Sequence, residues 1–233
     1  MTTECLKPVG GTRARVTKLD ACGNVLTGVG SCSIVTEGFI TIERTAEYAD
    51  PDQFIVKNAG GKVCLKHRTA PQFLWYLFNI TFCEVDPDLY ALLTGSTVSL
   101  DDALTPNHIG FRTDELTLAT TNYAIELWTL LVGEECDTSD SVPYGYYLAP
   151  FVGEGTVGTP LTFENGPVTF TVNNARTKGG GNWGVGPFDV VRTAVGALPA
   201  PLATPMLSTE HDNFQLTTLA PPTAACGCVV VTP

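Results

Sequence analysis

The stretch from Phe73 to Gly95, FLWYLFNITFCEVDPDLYALLTG, constrains the fold more than any other part of the chain. Its first half is rich in aromatic and β-branched residues and predicts one long strand. Leu74, Tyr76, Phe78, Ile80 and Phe82 share one face, while Trp75, Leu77, Asn79, Thr81 and Cys83 share the other. An apolar face opposite a mixed one suits a central strand of a two-layer β structure. At Asp86-Pro87 the pattern turns helical, because Asp accepts orphan amide hydrogens and the fixed φ of Pro suits the first helical position. Leu89, Leu92 and Leu93 follow at helical spacing, and Gly95 can close the last turn. A helix of about two turns is too short to stand alone in water, so its leucines must lean on a sheet.

The rest of the chain predicts more strands. Arg13 to Leu19 reads as a first strand with its turn at Ala21 to Asn24, and Ser33 to Arg44 as a second strand region with a bulge or close approach at Gly38. Thr45 to Gln53 reads as an extended acidic loop. Phe54 to Lys57 and Lys62 to His67 flank Asn58-Ala-Gly-Gly61, a hairpin signal. Val98 to Arg112 reads as a long polar surface loop. Asn122 to Val132 and Tyr144 to Val152 are hydrophobic strands, and Leu161 to Glu164 with Val168 to Asn173 form a hairpin about Asn165-Gly166. Short strands follow at Phe188 to Arg192 and Asn213 to Leu219, separated by the Pro-rich Ala197 to Pro205. With 44% hydrophobic and 16% charged residues the chain is not disordered. The expectation is one mainly antiparallel β domain over residues 1–233, with one short flanking helix and long loops. Arms are expected at about residues 1–12, 193–210 and 220–233.

The net charge of −11, from 13 basic and 24 acidic residues, disfavours stable non-specific binding to nucleic-acid phosphates. The positive charge gathers early, at Lys7, Arg13, Arg15 and Lys18, then at Lys57, Lys62, Lys66 and Arg68. This is a solvated strand face or a patch that meets an acidic surface on a second copy. The first twenty residues lack a signal-peptide pattern and there is no run of 18 apolar residues, so synthesis in a cytoplasm without membrane insertion is expected. Eight cysteines leave three options open: buried thiols, disulfides formed after release from the cell, or metal ligands. Cys22 and Cys32 flank a Gly-rich segment and could be bridged across a hairpin; Cys226-Gly-Cys228 lacks the second knuckle of a zinc site.

No motif points to catalysis, a metal or a cofactor. Gly179 to Gly184 matches G-x-G-x-x-G, but Pro187 and β-branched residues follow where a phosphate-binding helix should start. His211-Asp212 near Ser208 lacks a nucleophile elbow, and His67, His108 and His211 do not share a metal-ligand spacing. The acidic pairs at Asp86/Asp88, Asp101/Asp102 and Glu134/Glu135 do not have the spacing of an EF-hand loop. Asn79-Ile-Thr81 is a formal glycosylation sequon inside the central strand. Trp75 and Trp128 are expected in or against the core, and Trp183, on a glycine-rich loop, is the expected interface tryptophan.

Scattered blocks over nearly the full length carry a resemblance: Cys5-Leu-Lys-Pro8, Leu19-Asp-Ala-Cys-Gly23, Glu84-Val-Asp-Pro87 with Leu92-Leu-Thr-Gly95, Trp183-Gly-Val-Gly-Pro187, and Leu216 to Pro222 through Cys226-Gly-Cys228. Together they resemble the major tail (tail tube) proteins of long non-contractile-tailed, siphovirus-type phages of actinobacteria. The resemblance implies a β-sandwich or half-barrel with a flanking helix, and hexameric rings stacked into a tube in the virion tail. It also implies a tape-measure protein inside the tube, tail-tip and terminator proteins at its ends, and genomic DNA in transit during ejection. An acidic lumen would let DNA slide. Loop length and charge then nominate Arg13, Arg15, Lys18, Asp50, Asp52, Asp101, Asp102 and Trp183 for contacts between subunits and rings. A capsid decoration protein or adhesin-like β domain is the alternative, since β folds host many surface binders.

Overall fold

The computed structural model describes residues 7–104, 106–113, 121–131, 144–158, 161, 163, 165–166, 168–181, 201–202 and 204–232. Over these residues the chain forms β1 (Pro8–Leu19), β2 (Ser33–Thr36), β3 (Phe39–Ala49), β4 (Gln53–Lys57), β5 (Val63–Arg68), β6 (Gln72–Phe82), α1 (Pro87–Thr94), β7 (Thr97–Leu100), β8 (His108–Arg112), β9 (Asn122–Leu131), β10 (Tyr144–Gly153), β11 (Thr156–Val157), β12 (Phe170–Thr177), β13 (Asn213–Thr217) and β14 (Ala225–Val229). The protein is mainly β, its strands pair antiparallel, and α1 is the one helix among the described residues.

Ten-stranded connectivity runs β14-β2-β1-β9-β10-β12-β6-β3, with β11 added to β12 and β13 to β10. β9 sits near its centre and is covered on both faces, which explains its nearly continuous apolar sequence. Tyr123 and Ile125 point to a core shared with Phe78, Ile80, Phe82 and the leucines of α1. Ala124 and Trp128 point the other way, into a second core with Tyr146, Leu148, Leu202 and Met206. This period of two is what places one strand between two cores. β10 changes partner along its length: Tyr144 to Leu148 pair with β13, and Val152 and Gly153 pair with β12. The ladder shifts register between Ala149 and Val152, around Pro150, which has no amide hydrogen to give.

The strand-to-helix stretch forms as its residues dictate. Asp86 accepts from the Asp88 amide at 2.7 Å, Pro87 opens the helix, and Gly95 closes it at φ 76°, a left-handed conformation suited to glycine. Leu89 and Leu93 are fully buried. β6 keeps its apolar face inside only at Phe78, Ile80 and Phe82; Leu74 is exposed and Tyr76 half-buried, because the strand runs off the body.

Several expectations are corrected. Thr45 to Ala49 is not a loop but the end of β3, which tolerates charge because its outer edge faces away from the core. The segment read as a long loop from Val98 to Arg112 contains the β7–β8 hairpin; Asp101 closes its turn by accepting from the Asn107 backbone amide and side chain at 2.7 and 2.8 Å. The second strand region is two strands, divided at Gly38, where the expected close approach is present: its carbonyl accepts from the Cys83 and Glu84 amides and no Cβ would fit against Glu84. β12 pairs with β11, β10 and β6, and neither Leu161 nor Phe163 lies in a strand; Thr162 and Glu164 lie outside the described residues, as does the expected strand at Phe188 to Arg192. The C-terminal residues add β14 to β2, a strand not expected from sequence. Cys32 is bonded to Cys228, not to Cys22. Cys22, Cys64, Cys83 and Cys226 are exposed thiols, not buried ones, and Cys5 and Cys136 lie outside the described residues.

Candidate functional site

β3 and β6 form a ladder that runs from Phe39 opposite Phe82 to Ala49 opposite Gln72. Beyond it the chain continues as the β4–β5 hairpin, closed at its base by Asp52, whose carbonyl accepts from Thr69 N–H at 3.0 Å. Asn58 fixes the tip: its side-chain oxygen accepts from the Gly60 and Lys62 amides at 3.1 and 2.9 Å, and Gly61 takes φ 80°. The hairpin predicted from Asn58-Ala-Gly-Gly61 is therefore present.

Every residue of β4 and β5 is exposed. Cross-strand pairing places Phe54, Val56, Leu65 and His67 on one face, and Gln53, Ile55, Lys66 and Arg68 on the other. Phe54, Val56 and Leu65 are 59%, 51% and 57% exposed, so the apolar face has nothing of this chain over it among the described residues. Residues 53–71 hold Lys57, Lys62, Lys66 and Arg68 and no acidic residue, leaving nine basic against 24 acidic residues elsewhere. A lone two-stranded hairpin is marginal in water, and an apolar face on one invites a partner. The arm is therefore a basic, apolar projection from an acidic body.

The other predicted contact residues divide. Arg15 is not a surface cation: it makes two hydrogen bonds to Glu126, at 2.5 and 2.6 Å, and its guanidinium lies 5.4 Å from the Trp128 ring centroid. Glu126 is fully buried and also accepts from the Tyr146 hydroxyl at 2.8 Å. Burial alone would lower the Arg15 pKa, but the Glu126 carboxylate outweighs it and holds the guanidinium above its ordinary value. Arg13 pairs with the exposed Glu37, and Lys18 is half-buried in β1. Asp50 and Asp52 flank the base of the arm, while Asp101 and Asp102 stand in the β7–β8 turn, all four exposed. The structure does not bring these groups together into one patch. Trp183 lies outside the described residues.

The groups with catalytic chemistry are each occupied separately. His211 Nδ1 meets the Thr177 hydroxyl at 2.6 Å, whereas Asp212 pairs with Arg44 and accepts from Tyr147 at 3.1 Å, so His211 and Asp212 do not form a relay. His108 meets Asp88 at 2.5 Å, and His67 is on the arm. Asn79, the residue of the sequon, accepts from the Asn174 amide at 3.0 Å, at the position where β12 shifts register against β6. Among the described residues no group of three His, Cys, Asp or Glu side chains is placed to hold a metal ion, and no helix is long and apolar enough to cross a membrane.

The arm was half legible in the sequence. Its turn chemistry and its lysines can be read; its exposure on both faces cannot, because the apolar run Phe54-Ile55-Val56 also suits a buried strand. Comparison with known protein families finds no match, and comparison with curated proteins finds no significant similarity.

Proposed function

We propose that this protein is a self-assembling structural subunit, whose copies join into hexameric rings stacked as the tail tube of a long-tailed phage. The observation that carries the reading is the β4–β5 arm, with its uncovered apolar face and four cations against an acidic body. Such an arm gains stability when a second copy covers it. The outer edge of β3, unpaired among the described residues over eleven residues, is a second surface on which neighbouring copies can continue a sheet. The resemblance of the sequence blocks to tail tube proteins supplies the ring, the tube and the passage of DNA; the net charge of −11 suits a conduit that does not grip phosphates.

The test is negative-stain electron microscopy of the purified full chain, with its mass measured by light scattering over a range of concentrations. Rings or tubes with a regular axial repeat are the expected outcome. A particle that stays monomeric or trimeric at every concentration overturns the proposal in favour of a decoration or adhesin-like domain.

A further inference from the structure

An open groove of about 250 Å³ lies where β2, the Glu37-Gly38 link to β3, the turn after β6 and β14 meet. Val35 and Ala225 supply apolar surface to its lining, Glu37, Glu84 and Asp86 supply carboxylates, and Cys226 stands at its side; no basic residue lines it. Asp86 is engaged by the Asp88 and Gly227 amides and Glu37 pairs with Arg13, whereas Glu84 is exposed. The groove is smaller than the roughly 300–1,000 Å³ of small-molecule sites, and it fits a few side chains of a partner better than a free ligand.

We infer that this groove receives the β4–β5 arm of a second copy. The inference rests on the self-assembly reading and names the surface that the arm meets. The chemistry is complementary: the arm offers Phe54, Val56 and Leu65 on one face, with Lys62 at its turn and Lys57, Lys66 and Arg68 on the other face on side chains long enough to reach round its edge, and the groove offers an apolar floor edged with carboxylates. Geometry forbids the arm its own groove. Gly38 and Glu84 adjoin the Phe39–Phe82 end of the β3–β6 ladder, and the arm leaves from the Ala49–Gln72 end. Eleven residues at about 3.3 Å each separate the two by roughly 35 Å. Arm and groove at opposite ends of one ladder make a head-to-tail contact, which propagates from copy to copy unless it closes into a ring.

The test mixes unlabelled and 15N-labelled full-length protein, joins contacting lysines and carboxylates with a zero-length carbodiimide, and maps the linked peptides by mass spectrometry. Light scattering on the same samples reports assembly independently. The expected result is mixed-isotope links from Lys57, Lys62 or Lys66 to Glu37 or Glu84. Glu84→Lys and Lys66→Glu should each lower the assembled mass, and the doubly substituted chain should regain it. Assembled protein whose arm lysines link between copies only to other carboxylates, or not at all, overturns the groove and leaves self-assembly standing. Protein that never assembles overturns both.

Discussion

Arg15 and Glu126 are register partners across the β1–β9 ladder, and their guanidinium and carboxylate meet in two hydrogen bonds, with the guanidinium over the Trp128 ring. A cation that sequence reading assigns to the surface is thus a structural element of the sheet. The distinction matters for mutagenesis. Arg13→Glu reverses a charge in an exposed pair and probes assembly, whereas Arg15→Glu sets two carboxylates together and probes folding.

Glu126→Ala removes a buried carboxylate that accepts from both the Arg15 guanidinium and the Tyr146 hydroxyl, so it should destabilise by about 3–5 kcal/mol. The combined change of Arg15→Met, Glu126→Leu and Tyr146→Phe should be neutral or stabilising, since neither charge is left alone and no buried hydroxyl loses the carboxylate it bonds. Urea unfolding measures both. A loss below about 1 kcal/mol for Glu126→Ala would contradict the buried-pair account.

The Cys32–Cys228 bond joins residues 196 apart and fixes β14 to β2, which otherwise share two register pairs. Cys228→Ser should lower stability by about 2–5 kcal/mol in denaturant unfolding without reductant. Adding a dithiol to the unsubstituted protein should reproduce that loss; an unchanged unfolding curve would show that the clamp contributes nothing.

His211 lies against Thr177, Phe73 and Tyr76, and burial holds its pKa below the ordinary 6.5. The unfolded chain therefore takes up a proton at higher pH than the folded one. Its contribution is fully present above 6.5 and is lost as pH falls from there toward the lower folded value. The urea midpoint should thus be lower at pH 5.5 than at pH 7.5, and His211→Asn should flatten part of that slope. An identical slope in the variant would remove His211 as its source.

Phe54 and Leu65 touch little within their own subunit, so Phe54→Ser with Leu65→Ser should leave the thermal midpoint of the dilute protein within about 2 °C. The same pair of changes should abolish growth of large particles in light scattering. A double variant that assembles like the parent would show that the apolar face of the arm is not an interface.

Much of the architecture was readable where one local rule decides. Asp86, Pro87 and Gly95 bracket α1 because capping and left-handed closure depend only on neighbouring residues. Asn58 to Gly61 mark a turn for the same reason. Sequence reasoning failed where a distant partner decides. Glu47 looks like a loop residue until β6 lies beside it, and Cys22 looks like the partner of Cys32 until the chain returns with Cys228. Arg15 pairs with a residue 111 positions away, a separation that charge clustering in sequence cannot register. The groove is not legible in the sequence because Glu37 meets Glu84 and Asp86 from a distant segment.

The arm lies inside the stretch of chain that Cys32 and Cys228 close into a covalent loop. A protease that nicks the exposed residues between β4 and β5 therefore produces two pieces that still migrate as one molecule, and that part only when the disulfide is reduced. For a subunit that offers its arm to a neighbour, a cut there severs the chain without shedding either half.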